Sequence, residues 1–239
     1  MNERYTQQMI IVPSICDGSG RLSYHDTFAV FQDIASVHAQ RMGLGLYEMQ
    51  QKDLYWLTVR TKIRFLHRPA MMREVTASTW PDAPGKVRCN RSYLLEQDGE
   101  PLVAGKTEWA TVNIKTGKLE LMTDLYHCDP APLSLDEPFA RIPDSFEEVP
   151  VYGSYVVRST DIDVGGHMNN AAYVRAVMSS FSGKEILGIR IRTMDVVFRN
   201  SCFEGETLLL QKKQTENGID LRASREDGTT ILLARVETD

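Results

Sequence analysis

The sequence predicts an α+β protein in which one long helix laid across an antiparallel sheet occurs twice, and three observations predict it. The chain repeats itself: Asp17-Gly18-Ser19-Gly20-Arg21-Leu22 and Asp163-Val164-Gly165-Gly166-His167-Met168 lie 146 positions apart, each after an apolar strand pattern, Ile10-Ile11-Val12 and Tyr155-Val156-Val157. In the first copy Phe28, Phe31, Ile34 or Ala35, Val37 and Met42 recur every three to four residues, the spacing of one helix face. Both copies then pass into segments of alternating apolar and polar residues punctuated by Asp98-Gly99, Asn217-Gly218 and Asp227-Gly228, dipeptides that favour tight hairpins.

In chain order, the glycine-bearing turn at Asp17 leads into a helix from about Tyr24 to Met42. Leu57, Val59, Ile63 and Phe65 alternate with Arg60, Lys62 and Arg64 as a strand, and further strands follow near 73–80, 87–95 and 102–113. Five of the ten prolines (Pro130, Pro132, Pro138, Pro143, Pro150) then mark a long connection. After the second turn, strands recur near 189–199, 206–213, 219–225 and 230–237. Val59-Arg60-Thr61 aligns with Ile191-Arg192-Thr193 at an offset of 132, so the second copy is about 14 residues shorter, as a shorter helix and connection would make it. The domains expected are 1–128, a linker over 129–150, and 151–239.

With 42% hydrophobic and 25% charged residues, the 239-residue chain reads as a globular protein able to bury a core. Its net charge of -5 argues against nucleic acid as a partner, because phosphate neutralisation requires a basic excess. Met1-Asn2-Glu3-Arg4-Tyr5-Thr6-Gln7-Gln8 is polar and contains an acid, so no signal, transit or membrane-spanning segment is expected. Cys16, Cys89, Cys128 and Cys202 are scattered without a CxxC pair, which points to reduced thiols in a cytoplasm and to no metal site.

The chemistry concentrates in Asp161-Ile162-Asp163-Val164-Gly165-Gly166-His167-Met168-Asn169-Asn170. Asp163 and His167 supply an acid–base pair, Gly165 and Gly166 a tight turn that presents N–H groups, and Asn169 or Asn170 a cap for the helix that follows. A helix start favours negative charge, so an oxyanion on a carbonyl carbon can be held there while His167 handles protons, which points to acyl transfer or hydrolysis. In the first copy the position of His167 is Arg21, so that copy is expected to be silent. Asp163 alone can equally be a turn former bonding its own backbone, and His167 alone a structural histidine. Cys202 can be read as a nucleophile, but buried cysteines are commonly inert. His25, His38, His67 and His127 lack acid–base spacing and are expected to be structural or solvated.

The run Asp161 to Tyr173, together with Leu54-Tyr55-Trp56-Leu57-Thr58-Val59-Arg60, Thr79-Trp80-Pro81, Gln32 to Ala39 with Gly43-Leu44-Gly45, and Phe198-Arg199-Asn200-Ser201-Cys202, resembles the acyl-acyl-carrier-protein thioesterase family over roughly Gln8 to Val236. The resemblance implies a tandem (double) hotdog, two helix-in-sheet modules packed as a pseudo-dimer. It also implies cofactor-free hydrolysis of fatty acyl-carrier-protein thioesters to free fatty acid, with catalysis in the second module and an acyl tunnel in the first. The family's Asp-x-Asn-x-His falls on Asp163, Gly165 and His167, so the asparagine is absent, and Ser201 stands where many members carry a glutamate before the cysteine, here Cys202.

On this reading Asp163 acts as base or holds the water, His167 orients it or shares the proton, and the N–H groups of Gly165 and Gly166 polarise the carbonyl. Asn169, Asn170, Ser201 and Cys202 are the substrate-side candidates, and Phe28 and Phe31 are core residues that also line the tunnel. Arg60, Lys62, Arg64, Arg68, Lys86, Arg88 and Arg91 form a basic cluster that could steer an acidic carrier protein or simply be a solvated face. The alternatives are an acyl-CoA thioesterase and a weakly active or non-catalytic acyl-binding protein, and a homodimer through an outer sheet stays open.

Overall fold

A computed structural model describes residues 4–239; Met1, Asn2 and Glu3 of the polar N-terminal stretch lie outside the described residues. Ten strands form one antiparallel sheet: β1 (Tyr5–Ile10), β2 (Leu54–Phe65), β3 (Glu74–Pro81), β4 (Cys89–Gln97), β5 (Glu100–Asn113), β6 (Val151–Val156), β7 (Ile191–Phe198), β8 (Thr207–Thr215), β9 (Gly218–Ser224) and β10 (Thr230–Thr238). Their spatial order is β1-β3-β4-β5-β2-β7-β10-β9-β8-β6, so each half uses the same internal order and the halves join through the equivalent strands β2 and β7. The duplication read from the turn motif is therefore a duplication of topology. At the seam Arg60 pairs with Val197 and Arg64 with Thr193.

The helix α1 (Tyr24–Arg41) starts where Ser23 accepts a hydrogen bond from the Asp26 N–H at 2.9 Å, and it stops at Gly43, whose φ of +71° is a left-handed conformation that favours glycine. Phe28, Phe31, Ile34 and Ala35 are buried as their spacing predicts, each large side chain contributing about 1.5–3 kcal/mol relative to exposure. Val37 departs from that stripe at 40% exposed; His38, one position on, takes the buried place, because the stripe drifts around a helix of 3.6 residues per turn. In the second half the long helix is shortened to α3 (Asn170–Met178), with a one-turn-and-a-half α4 (Gly183–Gly188) before β7; nine residues in α3 against eighteen in α1 account for most of the shorter second copy. Both α4 and the short α2 (Leu46–Gln51) escape sequence periodicity, since six residues are too few to display it. Helices α1 and α3 pack together inside the curved sheet, and their buried side chains share one core with Ile63, Met194, Leu232 and Ala234.

Residues 130–148 form neither helix nor strand, yet the segment is laid along the sheet. The Trp80 indole donates to the Pro132 carbonyl at 2.9 Å, Ser134 Oγ to Gly105 at 2.7 Å, the Ala140 N–H to Asp195 at 2.8 Å, and Gln211 to the Phe146 carbonyl at 3.0 Å. Ile142 and Phe146 bury against Leu233, whose neighbours Leu232 and Ala234 point into the helix-side core, so the strap covers the opposite face. Among the described residues no helix is long and apolar enough to cross a membrane.

Candidate active site

Residues 162–168 form a narrow two-stranded turn. Ile162 bridges Met168, the Asp163 N–H donates to the His167 carbonyl at 2.9 Å, and the Gly166 N–H returns to the Asp163 carbonyl at 2.9 Å. The bond from Asp163 goes to His167 and the return bond comes from Gly166, so Gly166 and His167 together face Asp163 across a bulged turn. Gly166 turns the chain at φ +76°, which explains one of the two glycines. Asn169 then caps α3 by accepting from the Ala171 N–H at 2.8 Å, and Asn170 donates its amide to Thr58 Oγ1 on β2 at 2.8 Å, tying the turn to the other half.

The first half contains the same turn bond for bond. Asp17 N–H donates to Arg21 at 2.9 Å, Gly20 N–H to Asp17 at 2.9 Å, Ser19 N–H to Asp17 Oδ1 at 2.9 Å, Cys16 bridges Leu22, and Ser23 caps α1. What differs is the charge. Asp17 is ion-paired with Arg68, which also donates to the Leu22 carbonyl and lies over the Tyr24 ring. Burial alone would raise the Asp17 carboxyl, but hydrogen bonds from Ser19 and Arg68 outweigh it and hold the group below the usual range. Ser201 occupies the place of Arg68, because Met168 N–H bonds Cys202 as Leu22 N–H bonds Pro69, both at 2.9 Å. Asp163 therefore pairs with no cation among the described residues; one oxygen accepts the Gly165 N–H at 2.8 Å, and the other takes no hydrogen bond from the described residues.

A cavity of about 410 Å³ opens beside this carboxylate, within the range of small-ligand sites. Its walls come from the C-terminal half of α1, from α2, from β2, β4 and β5, and from Asp163, Val164, Asn169 and Asn170 of the second half. The structure thus brings three predicted site residues, Asp163, Asn169 and Asn170, to one cavity. His167 is not among the residues that line it: the ring is half-buried and meets Phe203 edge-on at 4.9 Å, and its buried Nδ1 has no hydrogen-bond partner among the described residues.

Several expectations change. The N–H groups of Gly165 and Gly166 are both consumed inside the turn, so they do not offer themselves to a carbonyl; the amides of Val164, His167 and Asn170 have no acceptor among the described residues. Phe28 and Phe31 do not line the large cavity. They face inward, Phe31 stacking on Tyr93 at 4.7 Å, and border a void of about 20 Å³; Gln32, Ala35, Ser36, Ala39 and Met42, further along α1, line the large one. Ser201 is exposed and its carbonyl accepts from Arg225 at 2.7 Å. Cys202 is fully buried, and burial pushes its thiol up to about 12, which removes the thiolate a nucleophile needs. The basic cluster is not a free face: Arg60 and Arg88 pair with Glu108, Lys62 with Asp195, Arg64 with Glu137 and Arg68 with Asp17, while Arg91 is buried against His38 at 2.9 Å. Four carboxylates distant in sequence pair with five of the seven cations, which spacing along one strand does not reveal.

Sequence reasoning missed Tyr55, which lines the cavity beside Asp163, and Thr58, which anchors Asn170. Both lie in the Leu54–Arg60 run, but nothing local says that β2 of one half meets the turn of the other. No cluster of three or more His, Cys, Asp or Glu able to hold a metal occurs among the described residues, and all four cysteines are free.

Comparison with known proteins places this geometry. The model for the acyl-ACP thioesterase N-terminal domain matches residues 2–127, and that for the C-terminal domain residues 147–238. An acyl-[acyl-carrier-protein] hydrolase of Cuphea viscosissima is 25% identical over 87% of this chain and 56% of its own, and an oleoyl-acyl carrier protein thioesterase of Arabidopsis thaliana 24% identical over 94% and 67%. The chain thus spans between about half and two thirds of the length of these relatives. The fold superimposes on an acyl-ACP thioesterase from Bacteroides thetaiotaomicron with a TM-score of 0.87 at 20% identity, covering 99% of this chain and 98% of that one. A 12:0-ACP thioesterase from Umbellularia californica gives 0.84 at 19% identity, covering 99% and 97%.

Proposed function

Because the chain belongs to the acyl-acyl-carrier-protein thioesterase family and folds as its double hotdog, we propose that it hydrolyses fatty acyl-carrier-protein thioesters and releases free fatty acid. One observation carries the reading: the carboxylate of the second turn stands without a cation on the wall of a cavity of about 410 Å³ that both halves build, whereas its twin Asp17 is locked to Arg68. The acyl chain lies in this cavity along α1, and the thioester carbonyl sits at the Asp163 end.

Water attacks that carbonyl directly. A thioester lacks the resonance stabilisation of an amide, so a positioned water, a base and hydrogen-bond donors suffice, and the buried Cys202 takes no part. Asp163, through its unbonded oxygen, accepts the water's proton as the new C–O bond forms. The Asn170 N–H at the start of α3 faces the oxygen that becomes negative, where the helix terminus favours charge. As the C–S bond breaks, the proton taken up by Asp163 passes through His167 of the same turn to the leaving thiolate. Asn169 holds the geometry as a cap.

The carrier protein is taken as partner because the relatives in Cuphea and Arabidopsis are named for that substrate. Four free cysteines fit the reducing cytoplasm in which we place the enzyme. The test is fatty-acid release from matched acyl-carrier-protein and acyl-CoA thioesters. Preference for the carrier-protein ester supports the reading, preference for the CoA ester overturns the partner, and tight acyl binding without release overturns the hydrolase.

A further inference from the structure

We propose that the Tyr55 hydroxyl stands in for the amide side chain missing at position 165, donating a hydrogen bond to the thioester carbonyl oxygen as it gains charge; this rests on the hydrolase reading above. The turn itself does not require glycine at 165. Only Gly166 has a left-handed φ, and the equivalent position of the first turn is Ser19, which makes the same N–H bond to its aspartate. What excludes a side chain at 165 is Tyr55. A Cβ added there would lie 2.9 Å from Tyr55 Cζ and 3.0 Å from Cε2, and nearer still to the hydroxyl oxygen. The phenol, reaching across from β2 of the other half, fills the volume that a side chain at 165 would take.

That hydroxyl is free to act. It makes no hydrogen bond to the described residues, and its residue lines the cavity together with Asp163, Asn169 and Asn170. The glycine amides are already bonded inside the turn, so beside the Asn170 N–H the carbonyl oxygen takes its second donor from a side chain on the cavity wall. Burial, and then the charge of Asp163, raise the Tyr55 pKa, so the hydroxyl keeps its proton at neutral pH and remains a donor. A donor aimed at the developing oxyanion lowers the barrier in proportion to the charge formed there.

The test is a cycle of variants assayed for fatty-acid release from an acyl-carrier-protein thioester, with melting temperature measured on each. Tyr55→Phe keeps the ring and should lower kcat on the order of 10²-fold, as loss of one oxyanion donor does, with KM within about threefold and melting unchanged. Gly165→Asn alone should lose both activity and stability against the ring. Combined with Tyr55→Ala, it should release acid at least about tenfold faster than Tyr55→Ala alone, because the amide then enters the vacated space. As a second readout, a ketone isostere of the thioester, with sulfur replaced by a methylene, should show a lowered carbonyl stretching frequency in wild type that reverts in Tyr55→Phe. An active wild type with Tyr55→Phe equally active, an unshifted carbonyl band, or a double variant no faster than Tyr55→Ala overturns this proposal alone. A wild type that releases no acid overturns the hydrolase reading and this proposal with it.

Discussion

Arginine at position 201 should silence the second turn as Arg68 silences the first. Arg68 and Ser201 hold equivalent places, one residue before the carbonyls of Pro69 and Cys202 that anchor the two turns at 2.9 Å. In the first half the pair is well shielded, with side chains 11% and 12% exposed, and Arg68 also donates to the Leu22 carbonyl. In Ser201→Arg the guanidinium has the same reach toward Asp163 and the Met168 carbonyl. A guanidinium beside a carboxylate lowers its proton affinity by about 1–3 pKa units, or roughly 1.4–4 kcal/mol. If proton uptake by Asp163 accompanies water attack, kcat/KM should fall by about 10- to 10³-fold, at no loss of melting temperature. Ser201→Met is the control, having comparable length and no charge, and should stay within about threefold of wild type. Initial rates of fatty-acid release from one acyl-carrier-protein thioester decide the matter. Equal activity in Ser201→Arg and Ser201→Met would refute the idea that a missing cation distinguishes the two turns.

Other outcomes follow from the same geometry. Cys202→Ala should retain near-full hydrolysis while losing about 1 kcal/mol of stability by denaturant titration, because the fully buried thiol serves packing. Asp195→Ala should cost about 3 kcal/mol by removing the partner 3.0 Å from Lys62 at the seam, side chains 6% and 2% exposed, and leaving the ammonium only Glu137 at 3.8 Å. Lys62→Met combined with Asp195→Leu should melt within a few degrees of wild type. His38 is held neutral, its pKa lowered to about 4 by burial and by Arg91 and Arg41, so below the ordinary 6.5 the unfolded chain takes up a proton that the native state refuses. Stability from this residue is therefore fully present above about pH 6.5 and is lost as pH falls toward 4, by up to roughly 3 kcal/mol. His38→Gln should flatten that part of the stability–pH curve.

The parts of the protein that were legible in the sequence are those that local physics dictates. The turn motif recurs because the same backbone bonds recur, so Asp17 and Asp163, Gly20 and Gly166, and Ser23 and Asn169 match in structure as in sequence. Asp98-Gly99 signalled its hairpin because both residues take positive φ, 53° and 82°. What stayed illegible depends on contacts between distant segments. Nothing near Gly165 announces that Tyr55 crosses the seam to exclude a side chain there. The basic run on β2 and β4 looked free because its partners, Glu108, Glu137 and Asp195, come from other strands and from the strap. Phe28 and Phe31 carried the correct helix spacing, but spacing distinguishes buried from exposed and cannot distinguish a packed core from the wall of a cavity a turn further on.

The central claim is that the uncompensated carboxylate of the second turn, with the imidazole of the same turn, lets water cleave an acyl thioester while the first turn does not. Fatty-acid release should be compared in wild type, Asp163→Asn, His167→Ala and Asp17→Asn, each shown by circular dichroism to be folded. The account predicts a loss of at least about 10²-fold in kcat for the two second-turn variants and less than about threefold for Asp17→Asn. Undiminished release in both Asp163→Asn and His167→Ala would contradict it.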